Sequence, residues 1–242
     1  YARYPAAYVS MGETAENLAA KYHITREAQD AFAADSQHKT AAAQAEGRLK
    51  DEIVAITSKD GIVDQDGCLR PDTTAEGLAG LRPAFDENGS VTAGTSSPLT
   101  DGASATLVCS EAYAAANGLE PLARIRSIAV AGCAPEIMGI GPVAATNKAL
   151  SRAGLEIGDI DIIELNEAFA SQSLACIEEL GLDLAKINLD GGAIALGHPL
   201  GATGARITGK AAQLLKRNGG KYALATQCIG GGQGIATILE AI

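Results

Sequence analysis

From about residue 121 onward the chain alternates between short apolar runs and amphipathic stretches, and this order constrains the fold most. The segments read as a strand (ARIRSIAVAG), a helix (VAATNKALSRAGL), a strand (DIDIIEL) and a helix (EAFASQSLACIEELG). A strand or turn (KINLDGG) follows, then a helix (GATGARITGKAAQLLKRNG) and two strands able to pair antiparallel (KYALATQCIG and GQGIATILEAI). Strands that alternate with helices bury their apolar faces as an α/β layered sheet.

The first hundred residues have a different, helix-and-loop texture. Residues 11–48 are helical in pattern, with Thr14 expected to cap AENLAAKYH and Thr25 the helix after it. DEIVAITS reads as a strand, and SKDGIVDQDGCLRPDTT, with two Asp-Gly pairs and a proline, as an exposed irregular stretch. A short apolar run at 104–109 precedes a helix from Ser110 to a glycine stop at Gly118. These changes place boundaries near 100 and 120, giving segments 1–100, 101–120 and 121–242, with no short-period repeat.

Bulk chemistry excludes several classes of function. A net charge of −10 with no basic stripe argues against nucleic acid as the main partner, while leaving room for a local basic pocket. No apolar span is long enough to cross a bilayer. Five scattered cysteines, without CxxC or Cys/His spacing, predict free thiols in a reducing, cytoplasmic compartment and no metal site. His23 and His38 lie among polar residues and read as solvated surface groups. The opening YARYPAAY, without an initiator methionine or signal pattern, leads us to expect a cleaved or truncated product.

The third histidine is placed differently. His198 stands inside GGAIALGHPLGATGAR, where glycines and a proline weaken helix and strand alike. Gly197 permits unusual backbone angles, Pro199 fixes the exit direction, and Gly201 and Gly204 open the next helix with its N–H groups outward. That suits a rigid mount for an imidazole; a turn that merely packs a helix closely is the bland alternative. Cys228, in QCIGGGQG, is either a buried core thiol or, beside His198, half of a Cys/His pair. Asn166, before EAFA, serves equally well as a helix N-cap, and Glu167 as a mere complement to the helix dipole. All three follow expected strands, the edge where open α/β sheets gather their ligands. The pattern GHPLGATG matches neither of the usual nucleotide-binding glycine motifs.

NEAFA at 166–170, GGAIALGHPLGATGAR at 191–206 and CIGGGQG at 228–234 together resemble the three signature blocks of the thiolases. SMGETAENLA, TREAQDAFA, LRPAF, VTAGTSSPLTDGA and IMGIGPV extend the resemblance over nearly the whole chain. It is closer to degradative 3-ketoacyl-CoA thiolases than to biosynthetic acetoacetyl-CoA thiolases. The resemblance implies a thiolase-like layered α/β fold with its carboxyl-terminal half complete (121–242), preceded by a helix-and-loop insertion domain (1–100) and the end of the amino-terminal half (101–120). It also implies that the family's beginning is missing, and with it the cysteine that becomes acylated.

The implied reaction is thiolytic cleavage of a 3-ketoacyl-CoA to acetyl-CoA and a shortened acyl-CoA. His198 would activate the nucleophilic cysteine and donate to the thioester oxygen, and Asn166 would hold a water that completes this oxyanion site. Cys228 would exchange a proton with the α-carbon of acetyl-CoA, and the Gly230 N–H would bind the acyl-enzyme oxyanion. Ser97, Met11, Met138 and Phe169 match positions lining the pantetheine and acyl pocket, and Arg70 one beside the nucleotide of coenzyme A. Coenzyme A is a substrate, with no bound cofactor. The implied partners are acyl-CoA, the missing amino-terminal portion and further copies in a homodimer or homotetramer. The intact set of Asn166, His198 and Cys228 speaks against a non-catalytic CoA-ester-binding protein, which would have no need of all three. Related decarboxylating or condensing synthases carry a second histidine where Cys228 stands.

Overall fold

The computed structural model describes residues 3–242. Its first part begins with helices α1 (Met11–Lys21) and α2 (Arg26–Ala45). A two-stranded hairpin of β1 (Ile56–Ser58) and β2 (Gly61–Val63) and the short helices α3 (Ala75–Ala79) and α4 (Glu111–Ala116) follow. The second part contains β3 (Arg124–Gly132), α5 (Gly141–Ala153), β4 (Ile162–Leu165), α6 (Ala170–Leu180), α7 (Ala193–Leu196), α8 (Thr203–Asn218), β5 (Tyr222–Ile229) and β6 (Gln233–Glu240).

The four long strands form one sheet in the order β3-β6-β5-β4. β4 and β5 run parallel, with Ile163 opposite Leu224, and β6 is antiparallel to both β5 and β3. Residues of α5 and α6, including Ala145, Leu150, Cys176 and Leu180, pack on one face against Ile163, Leu165, Leu224 and Ile238. On the other face α8 places Ile207, Ala211, Leu214 and Leu215 against Ile162, Ala223, Ala225 and Leu239. Strand alternation assigns odd and even positions to opposite faces, so β4 and β5 are buried on both sides. The result is the layered α/β arrangement expected from the alternation. Among the described residues no helix is long and apolar enough to cross a membrane.

Several local expectations are corrected. Ser10, not Thr14, caps α1: its hydroxyl accepts from the Glu13 N–H while Glu13 accepts from the Ser10 N–H, a reciprocal box. Thr14 lies inside the helix and donates to the Met11 carbonyl at 2.6 Å. Thr25 does cap α2. The expected strand DEIVAITS is a 3₁₀ turn (Lys50–Glu52) followed by three strand residues, and the stretch read as irregular contains β2, paired through the Lys59-Asp60 turn. The apolar run 104–109 forms no strand and lies exposed, with Leu107 at 73 % and Val108 at 67 %. His198 follows the single-turn helix α7 rather than a strand.

Candidate active site

β4 ends at Leu165, and the Asn166 N–H bonds across to the Thr226 carbonyl at 3.0 Å, extending the parallel pairing by one residue. Helix α6 starts four residues later with Phe169 at its cap position. Asn166 is therefore no helix cap, and Glu167 does not sit in the first turn of α6. The buried Asn166 side chain instead directs Nδ2 at Nε2 of His198, 3.4 Å away. Its Oδ1 is buried without a partner, so an acceptor is left for a further donor in the site.

His198 is fixed from both sides of its ring. Thr203, at the start of α8, donates its hydroxyl proton to the Pro199 carbonyl at 3.1 Å. Nδ1 of His198 lies 2.7 Å from that hydroxyl oxygen and is therefore the donor to it. Nε2 is then the unprotonated nitrogen and accepts from Asn166. Burial holds the ring below the ordinary histidine pKa, and the Arg206 guanidinium adds to this. The imidazole is a neutral base aimed by a hydroxyl, the arrangement that proton abstraction at neutral pH needs. Gly197 is a glycine for a reason visible here. Its φ is +93°, and a Cβ would lie 2.5 Å from Oγ1 of Thr100, the hydroxyl that also accepts from the His198 N–H.

Cys228 is buried near the end of β5 among Met138, Ala168 and Phe169. It is not bonded to His198, whose ring nitrogens are taken up by Asn166 and Thr203. Among the described residues no hydrogen bond joins the two members of the Cys/His pair considered from the sequence. Burial pushes the Cys228 thiol up to about 12, well above the value of 9.0 for an unperturbed cysteine. It rests as a protonated thiol, an acid rather than a thiolate. Gly230 is exposed at the head of the Gly230–Gly232 turn that joins β5 to β6.

The residues expected to line a substrate pocket divide. Ser97 bonds its N–H to the Ala168 carbonyl at 3.0 Å, and Ser96 bridges to Phe169, which places Ser97, Met138, Phe169 and Cys228 in one neighbourhood. Met11 is 39 % exposed at the first turn of α1, the helix that packs on the Pro135–Ile140 turn carrying Met138. Arg70 is exposed and reaches the site only indirectly: its N–H donates to Gln37, whose amide donates to the Ile194 carbonyl.

Other contributors carried no separate signal in the sequence. Phe85, from LRPAF, meets Phe169 edge-on with ring centroids 5.8 Å apart. Glu164, one position before the end of β4, faces α8; burial pushes its carboxyl up to about 8 despite the nearby Arg206 and Lys210 cations. Its Oε1 and Gln227 Oε1 are buried without partners on that face. Spacing by two from Asn166 along the strand was the available clue to Glu164.

The thiolase amino-terminal domain family model matches residues 6–112, and the thiolase carboxyl-terminal domain model matches residues 119–241. The chain is 56 % identical over 241 residues to a 3-ketoacyl-CoA thiolase of Marinobacter nauticus, covering 96 % of this chain and 62 % of the relative. It is 58 % identical to one of Shewanella frigidimarina with the same coverage. Human mitochondrial 3-ketoacyl-CoA thiolase in complex with CoA superposes with a TM-score of 0.91 at 46 % identity, covering 97 % of this chain and 59 % of that one. The acetyl-CoA acetyltransferase of Bacillus anthracis gives 0.93 at 47 % identity, covering 97 % and 60 %. The chain thus spans about three fifths of the length of the relatives it matches.

Proposed function

This chain belongs to the thiolase family, and from that membership we propose that it forms part of a degradative 3-ketoacyl-CoA thiolase. The complete protein cleaves a 3-ketoacyl-CoA with free coenzyme A to acetyl-CoA and an acyl-CoA shortened by two carbons. The observation that carries this reading is the neutral His198, gripped at Nδ1 by Thr203 and met at Nε2 by Asn166. The relatives named 3-ketoacyl-CoA thiolase support the degradative direction over the biosynthetic one.

In this reading His198 Nε2 accepts the proton of a nucleophilic thiol contributed by a portion outside this chain. The thiolate adds to the 3-keto carbon, and the bond between the α and β carbons breaks. The electron pair leaves on the acetyl-CoA enolate, and the Cys228 thiol gives that carbon its proton. The Cys228 thiolate then takes the proton of coenzyme A, whose sulfur adds to the acyl carbon, and the nucleophilic thiol leaves with the proton held by His198. His198 and a water held by Asn166 donate to the thioester oxygen where enolate charge develops, and the Gly230 N–H to the acyl-enzyme oxyanion. Each such donor supplies about 3 kcal/mol. A thiol resting in its protonated form suits the cleavage direction, in which Cys228 must first give a proton. Ser97, Met11, Met138 and Phe169 line the pantetheine and acyl pocket, and Arg70 lies toward the nucleotide end of coenzyme A.

We also infer the division into an insertion (1–100), the end of an amino-terminal half (101–120) and a carboxyl-terminal domain (121–242). The exposed apolar residues Leu107, Val108, Ile128 and Val130 support cover by the amino-terminal portion. Free thiols fit a reducing cytoplasmic setting. A homodimer or homotetramer rests on the family resemblance.

Residues 1–242 alone are expected to be inactive, because among the described residues no thiol bonds to the His198 ring. Cys68 reaches that residue only through Thr100, at 3.9 Å from its hydroxyl, and Cys109 is exposed. Incubation with a 3-ketoacyl-CoA and coenzyme A should yield acetyl-CoA only when the amino-terminal portion of a 3-ketoacyl-CoA thiolase is supplied. Turnover by the chain alone, with an acyl adduct on one of its five cysteines, overturns the reading.

A further inference from the structure

Glu167 follows Asn166 directly, yet its carboxylate is buried away from solvent and joins three separate segments. Oε1 accepts from Nδ2 of Asn188 at 2.7 Å, while Oε2 accepts from the Ser36 hydroxyl of α2 at 2.6 Å and from the Ile194 N–H at 3.2 Å. Ser36 Oγ in turn accepts the Gly192 N–H at 3.1 Å. Asn188 is tied back to β4, accepting the Leu165 N–H and donating to the Leu165 carbonyl, both at 2.9 Å. Helix α2 adds Gln37 to the Ile194 carbonyl and Thr40 to the Asp190 carbonyl. The approach is so close that a Cβ on Gly192 would lie 2.1 Å from the Glu167 carboxyl carbon. The glycine ahead of the histidine loop is required by this carboxylate.

We propose that Glu167 is a positioning residue for the acyl transfer, a clasp that sets the Asn166 segment and the 191–198 loop in register through Ser36 of α2. The proposal rests on the function argued above. Asn166 and His198 belong to different segments and meet at only 3.4 Å, near the limit of a hydrogen bond, so a small slip between the segments separates them. Among the described residues, Glu167 is the one side chain that bonds both the Asn188 anchor of β4 and the backbone of the 191–198 loop. Ser36, buried inside α2, works on both partners: it accepts from the loop and donates to the carboxylate.

Glu167→Gln separates positioning from bulk. An amide fills the same volume but offers one acceptor oxygen where two are used. Turned one way, its NH₂ faces the Asn188 amide; turned the other, it faces the Ile194 N–H. Either way a donor meets a donor. The first measurement is the tautomer and titration of His198 by long-range ¹H–¹⁵N spectra of residues 1–242, with His198→Asn assigning its signals among the three histidines. Wild type should show the Nδ1–H tautomer. Glu167→Gln should show a tautomer mixture and a titration moved toward that of an ordinary histidine, and Ser36→Ala a smaller change in the same sense. The second measurement is turnover by the complete protein, where kcat per folded molecule should fall about 100-fold with KM within about threefold. A His198 tautomer and titration unchanged in folded Glu167→Gln, with only the melting temperature lowered, would overturn the proposal. If that variant does not fold, an unchanged His198 in Ser36→Ala overturns it equally. The imidazole spectra need no activity, so a wild type that fails to cleave 3-ketoacyl-CoA sinks the functional reading and still leaves the clasp tested.

Discussion

Replacing Glu164 by glutamine should make the protein more stable at high pH and change little at low pH. The residue is 1 % exposed on β4 and its carboxyl is pushed from 4.5 up to about 8, chiefly by burial. The folded state therefore keeps a proton that the unfolded chain releases above pH 4.5. Stability from this group is fully present below about pH 4.5, falls as pH rises, and is lost above about pH 8. At about 1.4 kcal/mol per unit, the loss reaches about 3 kcal/mol at pH 7 and about 5 kcal/mol once the carboxyl ionises. Glutamine is neutral throughout and has nearly the same shape, so it abolishes this slope. Urea unfolding of both proteins at pH 5 and pH 8.5, at constant ionic strength, measures the difference. The variant should gain several kcal/mol over wild type between the two pH values. Parallel curves, with the same difference at both, would refute a protonated Glu164.

Asn166→Asp should lower turnover of the complete protein by about 100-fold or more with little change in melting temperature, since it sets a negative charge beside a developing oxyanion; an active variant contradicts the role. Asp190 is fully buried and accepts from Arg48, Lys210 and Arg217. Asp190→Asn leaves those cations, the buried Lys210 above all, without their shared carboxylate and should cost about 3–5 kcal/mol in chemical unfolding; a midpoint equal to wild type would show that the network adds no stability.

The layering was legible because β4, β5 and the helices between them carry strong, uninterrupted apolar patterns, and the distinctive motifs drew attention to Asn166, His198 and Cys228. What stayed hidden depends on partners distant in sequence. The hydroxyl of Thr14 is as good a cap as that of Ser10, and only the reciprocal bond from Glu13 decides between them. The run 104–109 has the composition of a strand, but strand formation needs a neighbour with which to exchange hydrogen bonds, and none lies beside it among the described residues. Asn166 looked like a cap because it precedes a helix; the extra β-type bond to Thr226 pushes the helix start four residues on. The protonated state of Cys228 was not legible either, because a burial that raises its pKa cannot be read from flanking glycines.

In the proposed mechanism the Cys228 thiol moves the proton at the α-carbon of acetyl-CoA. Exchange of the acetyl-CoA methyl protons with deuterated solvent, followed by ¹H NMR with the complete protein and its Cys228→Ser variant, tests it without requiring a full turnover. Wild type should exchange the methyl protons and the variant should not, while both remain folded. Exchange at the wild-type rate in Cys228→Ser would contradict the assignment.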